Sequence, residues 1–210
     1  MCSSDLAKMI DAFERRIRGW YIEPIEYLFT HHDPGHFAFA IMAMNCLLID
    51  TLSQFEKGEL EGTPDIFKEF VRLNLSNYSG SVSIDHYRPG KASPTTLVDV
   101  ADVLYHGFRC GILHQAHAPL YCGINPGTNP PQIEATNLAK YSVGATSSVP
   151  GADCPVVIIY PEHLFGELMA FFARYLTNLK DTNATHDPIR AKFKKKFSDS
   201  FGIDIMAATL

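Results

Sequence analysis

Apolar residues recur every three or four positions along most of this chain, the spacing of helices that bury one face. Leu6, Met9, Ile10, Phe13, Ile17 and Trp20 share one side of a first amphipathic helix, with Ser4 or Asp5 as its cap. A short second helix over residues 21–29 is expected to break from the first near Pro24. Residues 31–36, with Asp33-Pro34-Gly35 among three histidines, read as a loop. Residues 37–56 are nearly apolar through Leu48 and predict the central, most buried helix, with Asp50 just past its apolar centre. Thr63-Pro64-Asp65 is a helix start, a cap followed by Pro at the first helical position; Ile66, Phe67, Phe70, Val71 and Leu73 carry that helix to about Leu75. Residues 77–93, rich in Ser, Gly and Pro, read as a long loop.

A further helix is expected from Thr95, where Leu97, Ala101, Leu104, Phe108 and Ile112 form a buried stripe beside a polar edge of Asp102, His106, Cys110 and His114. Between Pro119 and Pro155 the helical period fades. Leu120-Tyr121-Cys122 and Val156 to Tyr160 read as short strands of a small β element beside the helices. Pro161 opens a helix that turns Leu164, Leu168, Phe171, Phe172, Tyr175, Leu176 and Leu179 to the core. A tail helix near residues 188–201 has Ile189, Phe193 and Phe197 on one side, with Arg190, Lys192, Lys194, Lys195 and Lys196 as its solvated basic face. No internal repeat or heptad series interrupts this pattern. The fold class is therefore mainly α: an antiparallel bundle of four to five core helices in one domain over residues 1–210. It has a small β/loop insertion at about 119–160 and a C-terminal helical tail at about 186–210.

Composition narrows the function classes. The 210 residues, 46% hydrophobic, suit one globular domain with a sizeable core. A net charge of −5 argues against broad electrostatic capture of nucleic acid, so an RNA partner would have to be met locally. Five cysteines without close metal-type pairing go with free thiols in a reducing compartment, and Cys46 reads as core. The first residues, amphipathic and carrying acids, resemble neither a secretory signal nor a transit peptide. With no uninterrupted apolar run of about 18 residues, no membrane partner is expected and a cytoplasmic protein is.

The candidate chemistry lies in Arg109-Cys110-Gly111-Ile112-Leu113-His114. A guanidinium holds phosphate oxygens bidentately, and an imidazole moves a proton near neutral pH, so the pair suits phosphodiester chemistry. Eight Arg and nine His in 210 residues give about one Arg-x(4 to 6)-His match by chance, so the setting must carry the weight. On a regular helix Arg109 and His114 diverge by about 140°. That divergence predicts two such helices meeting across a two-fold axis, with Gly111 permitting their close approach. Asp50, an acid in an apolar helix, needs a partner, and Arg109 is one candidate. His106 is a candidate auxiliary group, Asp102 a helical salt-bridge partner for it, and His117 a helix-end cap. The His31, His32, Asp33 and His36 cluster is explained by turn composition, and no structural metal or other cofactor is expected there.

The segment RCGILHQA after its amphipathic run, with the earlier apolar helix containing Leu48-Ile49-Asp50 and ending near Gly58, resembles the HEPN superfamily (higher eukaryotes and prokaryotes nucleotide-binding). The resemblance covers about half the chain. It implies a small helical bundle in which Arg109 and His114 are the motif residues, acting in a homodimer as a metal-independent endoribonuclease, with His114 the base for a ribose 2′-OH and Arg109 the phosphate stabiliser. Auxiliary roles fall to His106, Asp50 and Cys110. Active members often carry a polar residue directly after the Arg; here it is Cys110, a departure that bears on catalytic strength more than on fold. Toxin or defence use, with an antitoxin protein as partner, follows from the same resemblance. Its non-enzymatic counterpart is a HEPN-like dimer that binds nucleotide, RNA or a protein, to which the net acidity also points.

Overall fold

The computed structural model describes residues 3–31, 34–87, 92–137 and 153–201. The chain is mainly helical with small sheets. Helix α1 (Ser3–Ile17) buries Met9, Ile10, Phe13 and Ile17 and runs through a π turn (Arg18–Ile22) into α2 (Glu23–His31). The expected break at Pro24 is absent. Pro24 lies in the first turn of α2, and the wide π turn before it carries the missing N–H without ending the helix. The same turn rotates Trp20 off the apolar stripe. It is 58% exposed, and the Arg16 guanidinium covers its ring at 3.7 Å.

Helix α3 (Pro34–Lys57) is the centre of the molecule. Ile41, Met42, Cys46, Leu48, Ile49 and Leu52 are buried, and the helix packs on α2, on α4 (Pro64–Asn74), on α7 (Pro161–Lys180) and on α8 (Asp187–Phe201). By mean hydropathy, 1.5 over its best window, α3 has the length and apolarity of a membrane span, a length the uninterrupted-run criterion misses; here 44% of that window is buried, in contacts with four other helices. Phe13 of α1 meets Phe55, Phe172, Tyr175 and Phe193 at ring-centroid distances of 4.4 to 6.2 Å, tying α1, α3, α7 and α8 into one core.

Helix α4 starts at the expected cap, where Thr63 accepts from the Ile66 N–H at 3.2 Å, but Leu73 leaves the apolar stripe and is 68% exposed. The basic run of α8 is only partly a solvated face. Arg190 and Lys196 are buried: Arg190 donates to the carbonyls of Asp181 and Asn183, while Lys196 Nζ donates to Gln54 Oε1 at 2.8 Å and the Leu60 carbonyl at 2.7 Å. Lys195 Nζ reaches the Gly58 carbonyl at 2.6 Å. These ammonium groups satisfy carbonyls where α3 ends and its dipole is negative.

Two small sheets complete the fold. Strands β1 (Ser81–His86) and β2 (Thr95–Asp99) form an antiparallel pair in which Ile84 faces Leu97, both buried. Residues 81–86, read from composition as loop, are thus strand, and Thr95 begins a strand where a helix was expected. The β-branched Thr95, Thr96 and Val98 suit a pleated surface, and pairing with the preceding strand, Thr95 on His86 and Leu97 on Ile84, decides the outcome. The second sheet has the order β3 (Cys122–Ile124), β5 (Asp153–Ile159), β4 (Gln132–Asn137), with β3–β5 parallel and β4–β5 antiparallel. The expected first strand is displaced by two residues, and Tyr121 lies just outside it.

A candidate Arg–His site on a π turn

The motif segment is three helical pieces rather than one. Asp99 ends β2 and caps α5 (Val100–Val103), accepting from the Asp102 N–H at 2.8 Å. A π turn (Leu104–Arg109) and α6 (Cys110–Gln115) follow. Gly107 and Gly111 are needed by neighbours. A Cβ at Gly107 would overlap the Cys122 sulfur, and one at Gly111 would lie 2.6 Å from the His117 carbonyl oxygen. The space beside Gly111 is therefore taken by the chain's own return, residues 117–119, and not by a second helix. Ala116 takes the left-handed conformation (φ 55°). The His117 N–H then reaches the Gly111 carbonyl at 3.3 Å, so the end is capped by the His117 backbone while its ring lies near the Gln115 carbonyl.

Two pairings differ from expectation. Asp102, placed on a polar edge with His106, is buried and turns instead to Lys68 at 3.4 Å, Arg72 at 3.3 Å and the Val98 N–H at 3.0 Å. Arg109 and His114, expected to diverge, meet within one chain: Arg109 NH1 lies 2.7 Å from His114 Nε2. The long arginine side chain reaches His114 with one nitrogen while Asp50 of α3 holds another. Asp50 Oδ2 accepts from Arg109 Nε at 2.9 Å. Arg109 and His114 therefore converge without a second copy.

The Asp50–Arg109–His114 row has a directed electrostatic order. The Asp50 side chain is 13% exposed and that of Arg109 24%. Burial raises the Asp50 pKa above the ordinary carboxylate value, against the opposing hydrogen bond and charge of Arg109. For Arg109, burial works downward, but the Asp50 hydrogen bond and charge outweigh it and its pKa is raised. The carboxylate, deeper in the protein, bears the desolvation, and the guanidinium gains by it. Arginine has only donors, so the 2.7 Å contact makes His114 Nε2 an acceptor with its lone pair on Arg109. His114 itself is exposed. An anion entering this row would find a guanidinium whose Nε is fixed by Asp50 and whose NH1 is shared with the neighbouring imidazole nitrogen.

Cys110 is not a third member of the row. It is half-buried next to Arg109, and the nearby Tyr105 phenol has its pKa raised by burial. Burial pushes the Cys46 thiol far up, leaving it an inert core group as expected. His106 is on a different path. Its ring stacks on His86 with centroids 5.7 Å apart, and His86 Nδ1 is 2.6 Å from the Tyr121 hydroxyl. Sequence reading missed His86, Tyr105 and Tyr121 as site neighbours. The alternating Ser81–His86 pattern was the available signal, obscured by the Ser, Gly and Pro around it.

Of the proposed loop cluster, His32 and Asp33 lie outside the described residues. His31 stacks on Tyr27 at 4.2 Å, its Nδ1 2.7 Å from Thr30 Oγ1. Among the described residues no group of three or more His, Cys, Asp or Glu side chains is arranged to hold a metal ion. No protein-family model, curated protein or solved structure matches the chain.

Proposed function

We propose that this chain is a HEPN-type endoribonuclease, its helices an antiparallel bundle with four to five core members, which cleaves RNA by internal attack of a ribose 2′-OH without using a metal ion. The observation that carries the reading is the Arg109–His114 contact of 2.7 Å with Asp50 fixed behind it at 2.9 Å. Residue chemistry gives the steps. An RNA phosphate competes for the Arg109 NH1 edge and draws it from His114, freeing Nε2, while Asp50 keeps Nε in place. His114 takes the 2′-OH proton and the 2′-oxygen attacks phosphorus. The 5′-oxygen leaves with a proton, giving a 2′,3′-cyclic phosphate and a 5′-hydroxyl. Arg109 holds the extra negative charge of the phosphorane-like transition state, where fixed charge contributes most.

A homodimer remains part of the proposal, on other grounds than convergence. With one imidazole serving as base, a second copy's pair would supply the leaving-group proton. Helix α3 offers a surface for that copy: Phe39, Ala40 and Leu47 are exposed on the helix that carries Asp50, and Ala43 is half-buried between them. The binding-only reading keeps two supporting observations, the net charge of −5 and a cysteine, not a polar residue, directly after Arg109.

The test is cleavage of a mixed RNA pool in EDTA by wild type, His114→Ala and Arg109→Ala. Positioned acid–base catalysis is worth about 10²–10⁴ in rate, so His114→Ala should fall to background with its fold intact. RNA binding by the wild type without cleavage would replace the enzyme with the binding module.

A further inference from the structure

Beside the Arg109–His114 row stands a second row of side chains, of which the cleavage chemistry uses Arg109 alone. It begins at Arg109, whose guanidinium carbon is 5.6 Å from the centroid of the Tyr105 ring. Tyr105 meets the His106 ring at 5.0 Å, the two perpendicular, and is backed by the buried Phe67 at 5.3 Å. His106 stacks on His86, 5.7 Å away at 26°. His86 is held at its edge by the Tyr121 hydroxyl. Three separate pieces of chain supply the rings: the end of β1, the π turn, and the residue before β3.

Core packing alone explains Phe67 and Tyr121, which are buried. It explains His86 and His106 less well. A half-buried imidazole pair is a polar surface, and aliphatic side chains would seal the same hairpin against the helix without having to satisfy four ring nitrogens. Tyr105, His106 and His86 are each half-buried, and Tyr87, next along, is 60% exposed. The row thus runs from a phosphate-binding cation outward along flat rings with polar edges. A nucleotide has the same order, an anionic phosphate joined through a sugar to a flat base, and stacking on protein rings favours any base.

We propose that Tyr105, His106 and His86 form the nucleobase subsite of this cleft, binding the base of the nucleotide whose phosphate Arg109 holds. This rests on the reading of Arg109 as a phosphate group of the site. The two histidines are base-binding residues and take no part in the chemical step.

Binding of non-cleavable small ligands tests the subsite apart from cleavage. Calorimetry would compare inorganic phosphate, ribose 5-phosphate and the four nucleoside 3′-monophosphates on wild type, His106→Ala, His86→Ala and Arg109→Ala. A stacked base is worth about 5- to 150-fold in affinity, so at least one nucleotide should bind more than about fivefold tighter than ribose 5-phosphate. Both histidine variants should lose that ratio and keep phosphate affinity; Arg109→Ala should lose all ligands. Histidine ring resonances of the unaltered protein give a readout free of folding effects. Nucleotides should shift His86, His106 and His114, whereas inorganic phosphate should shift His114 alone. Phosphate binding at Arg109 with no nucleotide advantage, or with His86 and His106 unmoved by nucleotides, overturns the subsite and leaves the phosphate reading standing. No phosphate binding, or nucleotide binding indifferent to Arg109→Ala, overturns both.

Discussion

Replacing Asp50 with Asn should separate stability from activity. The ion pair it breaks joins side chains 13% and 24% exposed at 2.9 Å. That places it between exposed pairs worth about 0.2–1 kcal/mol and enclosed pairs whose breaking costs about 3–5 kcal/mol. Asp50→Ala, which removes both charge and acceptor, should cost about 2 kcal/mol, or roughly 4–8 °C in Tm for a chain of this size. Asp50→Asn should cost less than about 1 kcal/mol, because it keeps a carbonyl acceptor for Arg109 Nε and gives up a charge that burial already disfavours. Activity should respond the other way. With the guanidinium loosened, its NH1 edge no longer points at one place, and misplacement of about 1 Å can cost 10²-fold in rate. The pH dependence follows from the raised Asp50 pKa. The folded protein keeps this proton over a range where the unfolded chain has lost it, so the group's contribution to stability is full below the ordinary carboxylate range. It is lost as pH rises through the raised value, and Asp50→Asn should flatten that part of the curve. Thermal denaturation from pH 3 to 8 and single-turnover RNA cleavage on the same preparations measure both effects. An Asp50→Asn protein that cleaves at the wild-type rate would refute the anchoring role.

Other outcomes follow from the same geometry. Arg109→Lys cannot span Asp50 and His114 at once, so it should recover only about tenfold of the roughly 10²–10³ lost in Arg109→Ala, read as kcat on a defined RNA. His106→Ala should raise KM for RNA while sparing kcat, the opposite of His114→Ala. Gly107→Ala drives a methyl group into the Cys122 sulfur and should cost about 1–3 kcal/mol in urea denaturation. Leu47→Glu on the outer face of α3 should convert a two-fold dimer burying at least about 1,000 Å² into monomers in sedimentation.

The helices were legible where a single face is buried. The spacing of Leu164 to Leu179 marks the core face of α7 residue by residue, and the apolar run from residue 37 marks the central helix, because burial along a helix is written locally. The hairpin of β1 and β2 was not legible. Its alternation over Ser81–His86 is masked by a loop-like composition, and what makes it a sheet is pairing with the strand at Thr95–Asp99. The π turns were invisible for a related reason: one extra residue per turn leaves the apolar spacing nearly unchanged, yet it moves Trp20 to the surface. At the site, Arg109, His114 and the need of Asp50 for a partner could all be read from residue type. Their meeting could not, since a 3.6-residue helix sets the directions of Cβ atoms and says little about where a long guanidinium stem ends. Lys196 and Arg190 carry the same lesson, as cations in a basic run turned inward, Lys196 by the distant Leu60 carbonyl and Arg190 by the carbonyls of Asp181 and Asn183 just before its helix.

The central claim is that His114 and Arg109 promote attack by a neighbouring 2′-hydroxyl, and the chemical identity of the cleaved ends tests it most directly. RNA incubated with the purified protein in EDTA, with the fragments' masses then measured, should show 2′,3′-cyclic phosphate and 5′-hydroxyl ends. A single 2′-deoxy substitution at the mapped position should abolish the cut there, and His114→Ala should leave the RNA whole. Fragments with 3′-hydroxyl and 5′-phosphate ends, or cleavage that survives the 2′-deoxy substitution, would contradict it.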